Sequence, residues 1–277
     1  MEVMLMEFSP DFDALACQFD GPEVNAIVLM GSYARGNPGP FSDIDLVRFG
    51  DEHKKLHPED GSYLIDGHLV VVSSVNPTQV EEWFSRPEAA VNVITGLRGA
   101  RSLIDRNGIF AAIQTRALKF EWDAAMQEEA DVWASQQMVG WIEEVHKGLE
   151  GLRSGDIGRM LNARFGCSWG LSRVMCVHCG VLLSGDNAFY REVMETIGID
   201  SEWARLRGEA FGIQVGGGKS LSLREQVIAG LRLYVVTAEL LGGVLQTADE
   251  PLIMQTVSLI RATLGRLMLD EPLRGHA

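Results

Sequence analysis

"LMGSYARGNPGPFSDIDLV", Leu29 to Val47, is the stretch on which the reading of this chain turns. An apolar run ends in a Gly-Ser pair, and a second apolar run further on carries Asp43 and Asp45. Strand residues two apart point to one face, so these carboxylates project together. Like charges held that way repel, and folding alone gives no reason for them. A hard divalent cation such as Mg2+ does, because it takes oxygen ligands and leaves room for substrate phosphates. The Gly31-Ser32 turn closes the strand and opens a short helical turn, "SYARG". The first N–H groups of a helix bind phosphate. Gly31 lets the backbone come close, and Ser32 adds a hydroxyl donor. A phosphate cradle beside a metal clamp is equipment for metal-assisted displacement at phosphorus.

Working outward, residues up to about 110 read as mixed α/β. "VNAIVLM" (Val24 to Met30) and "DIDLVRF" (Asp43 to Phe49) are strands by β-branched content and length. "SYLIDGHLVVVSSV" (Ser62 to Val75) reads as two strand arms joined at Asp66-Gly67, a dipeptide suited to a tight hairpin. Ser9 caps a first helix, "PDFDALACQF", and Pro77-Thr78 opens another, "PTQVEEWFS". "ARSLID" (Ala100 to Asp105) is a further short strand. Beyond Asn107 the period turns helical, with stretches near 108–119, 122–153, 157–183, 188–197, 202–211, 222–246 and 252–269. Ser184-Gly185-Asp186-Asn187 and Gly216-Gly217-Gly218 are read as punctuation between helices. The expected fold is an α/β core over residues 1–110 followed by an all-helical bundle domain over residues 111–277.

The chain of 277 residues carries 24 basic and 38 acidic residues, a net charge of -14. That charge repels a phosphate backbone unless a basic groove overrides it, and none is visible, so a nucleic-acid partner is disfavoured and a cationic small molecule favoured. No apolar run is long enough to span a bilayer. The acidic start lacks the basic region of a secretory signal. Four cysteines in a chain this long make no disulfide framework. The expected setting is the cytoplasm, with no membrane partner.

Gly31, Ser32, Arg35, Gly36, Ser42, Asp43 and Asp45, taken with their spacing, resemble the signature of the nucleotidyltransferase superfamily related to DNA polymerase β. A helical domain after such a core is similar to the aminoglycoside nucleotidyltransferases. The resemblance implies that Asp43 and Asp45 hold Mg2+ and the triphosphate of a nucleotide, ATP first. It implies nucleotide contacts from Gly31, Ser32, Arg35 and Ser42. A hydroxyl of a small molecule, aminoglycoside-like as the first guess, then attacks the α-phosphate and pyrophosphate leaves. Some relatives build sites between subunits, which leaves a homodimer open.

One departure from the family pattern stands out. A third carboxylate belongs on the next core strand, and the pattern places Val71 there. Neither face of "HLVVVSSV" carries an acid. Some aminoglycoside relatives take their base from a glutamate on the first long helix of the helical domain, which here points to Glu143 or Glu144 in "WIEEVHKGLE". The gap also motivates two other readings: a nucleotide-binding regulatory protein that has lost catalysis, and transfer to a tRNA end or a protein side chain.

Other residues read as structural. "CVHC" (Cys176 to Cys179) lacks the second ligand pair of a zinc site. "VGGGKS" (Val215 to Ser220) lacks the first glycine and the preceding strand of a phosphate loop. His53, His57 and His276 lie in polar loops or the tail, and His68 sits beside the hairpin turn. The rigid "NPGP" loop (Asn37 to Pro40) is placed to pre-organise Asp43.

Overall fold

The structure, a computed structural model, describes residues 10–51, 56–213 and 220–270. Ser9, His53, residues 215–219 of the "VGGGKS" stretch and His276 lie outside the described residues. The chain divides into two compact units. One comprises Met1–Glu121 and Leu182–Asp186, the other Trp122–Val181 and Asn187–Ala277.

The first unit opens with α1 (Phe12–Gln18), capped by Asp11, whose carboxylate accepts from the N–H groups of Asp13 and Ala14. Next come β1 (Val24–Met30), α2 (Gly31–Arg35), β2 (Ile44–Gly50), β3 (Gly61–Ile65) and β4 (His68–Val75). The β3–β4 turn has positive φ at Asp66 and Gly67, 49° and 82°, as a tight hairpin of matching twist requires. Then follow α3 (Pro77–Ser85), α4 (Pro87–Gly99), β5 (Arg101–Asp105) and α5 (Ile109–Leu118). Asn76 and Gln79 close a capping box at the start of α3, with Pro77 in the first turn. The second helix here, α4, is an element the sequence reading passes over.

The five strands lie in the order β3-β4-β2-β1-β5. Only β2 and β4 run parallel; the other neighbours are antiparallel. The sheet is therefore small and mixed. One face carries Ile27, Leu29, Ile44, Leu46, Val70 and Val72, all buried with Leu15 and Phe19 of the α1 region. Each such side chain contributes about 1.5–3 kcal/mol, enough for the sheet to carry some electrostatic cost elsewhere. The opposite face of β2 ends in Phe49, whose ring meets Trp83 of α3 and Phe110 of α5. Asp45 lies on that face, near the other end of the strand.

The second unit is helical: α6 (Ala124–Gly140), α7 (Ile142–Ser154), α8 (Ile157–Phe165), α9 (Leu171–His178), α10 (Phe189–Ile197), α11 (Glu202–Phe211), α12 (Leu223–Leu240) and α13 (Glu250–Asp270). Among the described residues no helix is long and apolar enough to cross a membrane. Two expected helices are divided. The 122–153 stretch breaks at Trp141, and the 157–183 stretch passes through one wide π turn, Gly166–Gly170, and stops at His178. Buried α12 packs against α11, α8, α13 and α7. Tyr234 donates to the Met138 carbonyl at 3.0 Å, and the Trp203 indole donates to Thr237 at 3.0 Å.

Gly170, the last residue of the π turn, is sterically required. A Cβ on Gly170 would stand 2.2 Å from Trp141 Cε2, so the rigid indole needs a bare backbone opposite it. Gly170→Ala is therefore expected to lower the urea unfolding free energy by about 1–3 kcal/mol, as overpacking does. Cys167 and Cys176 are buried, and burial pushes their thiols up to about 12 and about 11. His178 is engaged elsewhere, with Nδ1 2.8 Å from Asp131.

Candidate active site

The site is built where β1 gives way to α2 and β2 runs alongside. Met30 pairs with Asp45 across the β1–β2 ladder. At the junction Gly31 adopts φ +67°, a conformation that L side chains rarely take, and a Cβ there would stand 2.1 Å from Asp45 Oδ2. Gly31 is thus required twice, by its own backbone and by the carboxylate lying against it. Ser32 follows in the first turn of α2, and Gly36 caps its end.

The loop between α2 and β2 is closed by its own hydrogen bonds. The Gly39 N–H donates to Ser42 Oγ at 2.8 Å, and the Ser42 N–H returns to the Gly39 carbonyl at 3.1 Å. Ser42 thus ties the loop that leads into Asp43. Along the strand Ile44 and Leu46 are buried while Asp43, Asp45 and Val47 are half-buried. The strand begins at Ile44, one residue later than expected, so Asp45 lies on its outer face and Asp43 stands at its mouth.

Asp45 is electrostatically exceptional. Its carboxyl is raised to about 6, first by burial, then by the negative charges of Asp43 and Asp186, with Arg35 opposing. An underneutralised group of carboxylates suits a cation, and an all-oxygen donor set suits a hard one. Among the described residues, however, no group of three or more His, Cys, Asp or Glu side chains is close enough to hold a metal ion.

The third acid is absent from β4, as the sequence indicates. Asp45 lies opposite Val71 in the parallel β2–β4 register. His68, at the start of β4, approaches the Tyr33 hydroxyl of α2 at 3.5 Å through Nδ1. Glu143 and Glu144 fall in the second unit, on α7. Lys147 Nζ bridges them, at 2.9 Å from Glu143 and 2.7 Å from Glu144. Bonding to Lys147 holds the Glu143 carboxyl below its ordinary range. Glu144 Oε2 is buried without a hydrogen-bond partner. Glu143 and Lys147 also line an open groove of about 490 Å³ with His146, Glu150, Arg159 and Asn162. Its mixed charges do not single out a cation.

Asp186 is the residue that sequence reasoning missed. It stood in what reads as helix punctuation, far along the chain from Asp45, and nothing local marks it. Its placement comes from the segment Leu182–Asp186, which belongs to the first unit. The Leu183 N–H donates to the Val91 carbonyl of α4 at 2.8 Å, and Thr95 Oγ1 donates to the Leu182 carbonyl at 3.1 Å.

Residues 14–93 match the family model described as a nucleotidyltransferase domain. No curated protein matches the chain. Among solved structures, a nucleotidyltransferase-like protein from Exiguobacterium sibiricum 255-15 is similar over 93% of this chain and 87% of its own, at 10% identity and a TM-score of 0.47. The matched residues span β1, α2, β2 and β4, the elements that carry the Gly-Ser turn and both aspartates. Residues 14–93, which carry the Gly-Ser turn and both aspartates, are thus similar to a nucleotidyltransferase domain.

Proposed function

We propose that the chain transfers a nucleoside monophosphate from a nucleoside triphosphate, ATP first, to a hydroxyl of a small molecule, in a reaction that depends on Mg2+. The observation that carries this reading is the pairing of Gly31 with Asp45. A backbone left bare at positive φ lies directly against a half-buried carboxylate whose proton affinity is raised by burial and by its acidic neighbours. Asp43 and Asp45 would hold the cation, which when bound neutralises charge on the phosphates and polarises the phosphorus under attack. Gly31 and Ser32 would receive phosphate oxygens at the head of α2, and Arg35 would offset phosphate charge. The net charge of -14 favours a cationic acceptor, and an aminoglycoside-like compound is the first to test.

Calorimetric titration with ATP, GTP, CTP and UTP, with and without Mg2+, tests the first half of this reading. Mg2+-dependent binding of at least one nucleotide is the expected result. Pyrophosphate release on addition of aminoglycosides tests the second half. Val71, opposite Asp45, favours one other reading, a nucleotide-binding protein without catalysis. Nucleotide binding with no pyrophosphate release across hydroxylated and cationic acceptors is the result that selects it.

A further inference from the structure

The outer face of the sheet carries more than Asp45. The ladder sets Met30, Asp45, Val71 and Ser62 in one row across β1, β2, β4 and β3. Side chains directly opposite in neighbouring strands share a face, so Val71 and Ser62 continue the face of Asp45. One step nearer the hairpin turn, Leu69 of β4 pairs with Leu64 of β3. Leu69 lies two residues before Val71 and shares its face. The inward residues Val70 and Val72 are buried, whereas Leu64 is 79% exposed and Leu69 45%. Phe41, three residues ahead of β2, is 96% exposed. β2 and β4 run parallel and so start at the same end of the sheet. Phe41 and the leucine pair therefore stand at one end, which is also the end of Asp43 and Asp45.

Scattered exposed leucines are ordinary on a protein surface, but a contiguous apolar set marks a place of contact. Among the described residues of the first unit, four large apolar side chains are exposed: Phe41, Leu64, Leu69 and Leu118. Three of the four belong to the loop entering β2 or to the hairpin beside it, so they are a cluster and not scatter.

The direction of the proposed reaction selects the molecule that would lie there. The attacking and leaving oxygens stand roughly in line through phosphorus. The acceptor oxygen bonds to the α-phosphorus, and the bond from that phosphorus to the bridging oxygen breaks. Pyrophosphate leaves with the electron pair, and the hydroxyl proton passes to water. In the reading above the phosphates rest at Gly31 and Ser32, where β1 ends. From there the strands run β1, β2, β4, β3, with Asp43 and Asp45 in between. The attacking hydroxyl thus comes from over β4 and β3, where Val71, Leu69 and Leu64 lie.

We propose that the β3–β4 hairpin is the acceptor subsite, and that Leu64 and Leu69 select a hydroxyl carried on a cyclic hydrocarbon frame. The inference deepens the reading of this face as a nucleotidyl-transfer site and rests on it. The net charge of -14 bears on the charge of the acceptor; the leucine pair bears on its frame. Val71 keeps the floor between the leucines and Asp45 apolar.

2-Naphthol and myo-inositol are suitable probes, because both are hydroxylated rings and only the first has a hydrocarbon face. Each is titrated, by ligand-observed nuclear magnetic resonance, into wild type, Leu64→Gln, Leu69→Gln, Leu69→Met and Leu252→Gln. Mg2+ and the α,β-methylene analogue of ATP are present throughout. Wild type is expected to bind naphthol about tenfold or more tightly than inositol, and each glutamine variant to weaken naphthol about 3- to 10-fold, as loss of part of a leucine contact does. Leu69→Met keeps the apolar area and should stay within about twofold of wild type. Leu252→Gln removes an exposed leucine from α13 and should do the same. Glutamine at exposed positions 64 and 69 should leave the unfolding midpoint in place and calorimetric nucleotide affinity within about twofold. Unchanged naphthol affinity in both glutamine variants overturns the subsite, as does inositol binding equal to that of naphthol. Nucleotide affinity that falls in step with naphthol also overturns it, by making the leucines a support of the nucleotide site. Absence of Mg2+-dependent nucleotide binding in wild type overturns the reading on which the subsite rests.

Discussion

Asp45→Asn is expected to abolish Mg2+-dependent nucleotide binding and, in the same variant, to raise the thermal stability of the free protein at neutral pH. The two effects have one cause. Burial and acidic neighbours raise the Asp45 carboxyl to about 6, against about 3.9 in an unfolded chain. The folded state therefore holds this proton more tightly than the unfolded state does. The stability so contributed is fully present below the unfolded value and is lost as pH rises through about 6. At pH 7 the free protein thus carries the ionised group at a cost. Discounted for the solvent that reaches a half-buried carboxylate, the cost is about 1–2 kcal/mol. Asparagine removes it. In chelator, the melting-temperature advantage of Asp45→Asn should be greatest near pH 8, shrink as pH falls below about 6 and vanish only below about pH 4. With Mg2+ and nucleotide added the order should reverse, because ligand binding stabilises only the wild type. A melting difference that stays constant from pH 8 to pH 4 would sever the link between the ionisation of Asp45 and stability.

Gly31→Ala is the second substitution with a large expected effect. Alanine at φ +67° costs about 1–2 kcal/mol in backbone strain alone. Its Cβ would also fall 2.1 Å from Asp45 Oδ2, so the carboxylate must move. A displacement of about 1 Å at a reacting centre costs about 100-fold in turnover, and nucleotide affinity should fall with it. Pairing Gly31→Ala with Asp45→Ala in a double-mutant cycle of urea unfolding free energies isolates the clash. The strain term persists in both backgrounds, while the clash term disappears once the carboxylate is removed. Effects on stability that simply add would mean that Gly31 serves the backbone turn and not the carboxylate.

Local signals made the core of this fold legible. Val24–Met30 announces a strand by its β-branched residues, Asp66-Gly67 announces a hairpin, and Pro77-Thr78 announces a helix start. Each acts over a few residues, where propensity and capping decide. The outward face of Asp45 follows from the period of a strand, and the lack of an acid at Val71 could be read in the same way. α4 was passed over although Pro87 offers the same start signal as Pro77, because no capping side chain stands before it. Its first turn rests on Pro87 after Arg86, with no side-chain cap. The close approach of Trp141 to Gly170 joins two stretches, 122–153 and 157–183, that no single sequence window contains. Asp186 was illegible for a stronger reason. Its place is set by hydrogen bonds from residues 182 and 183 to α4, and Ser184-Gly185-Asp186-Asn187 reads equally well as an ordinary turn.

The return of Leu182–Asp186 to the first unit bears on how the protein is made. The unit is assembled from two pieces of chain separated by the 60 residues of Trp122–Val181. Domains tend to fold as the ribosome releases them, from the N-terminus onward. Here the α/β unit has its sheet early but waits for Leu183 to reach Val91. A ribosome that stalled at residue 121 would have produced every strand of the sheet without the segment that completes it. The two units therefore mature on one schedule, and neither can be exchanged for another at residue 121 without taking part of its neighbour along.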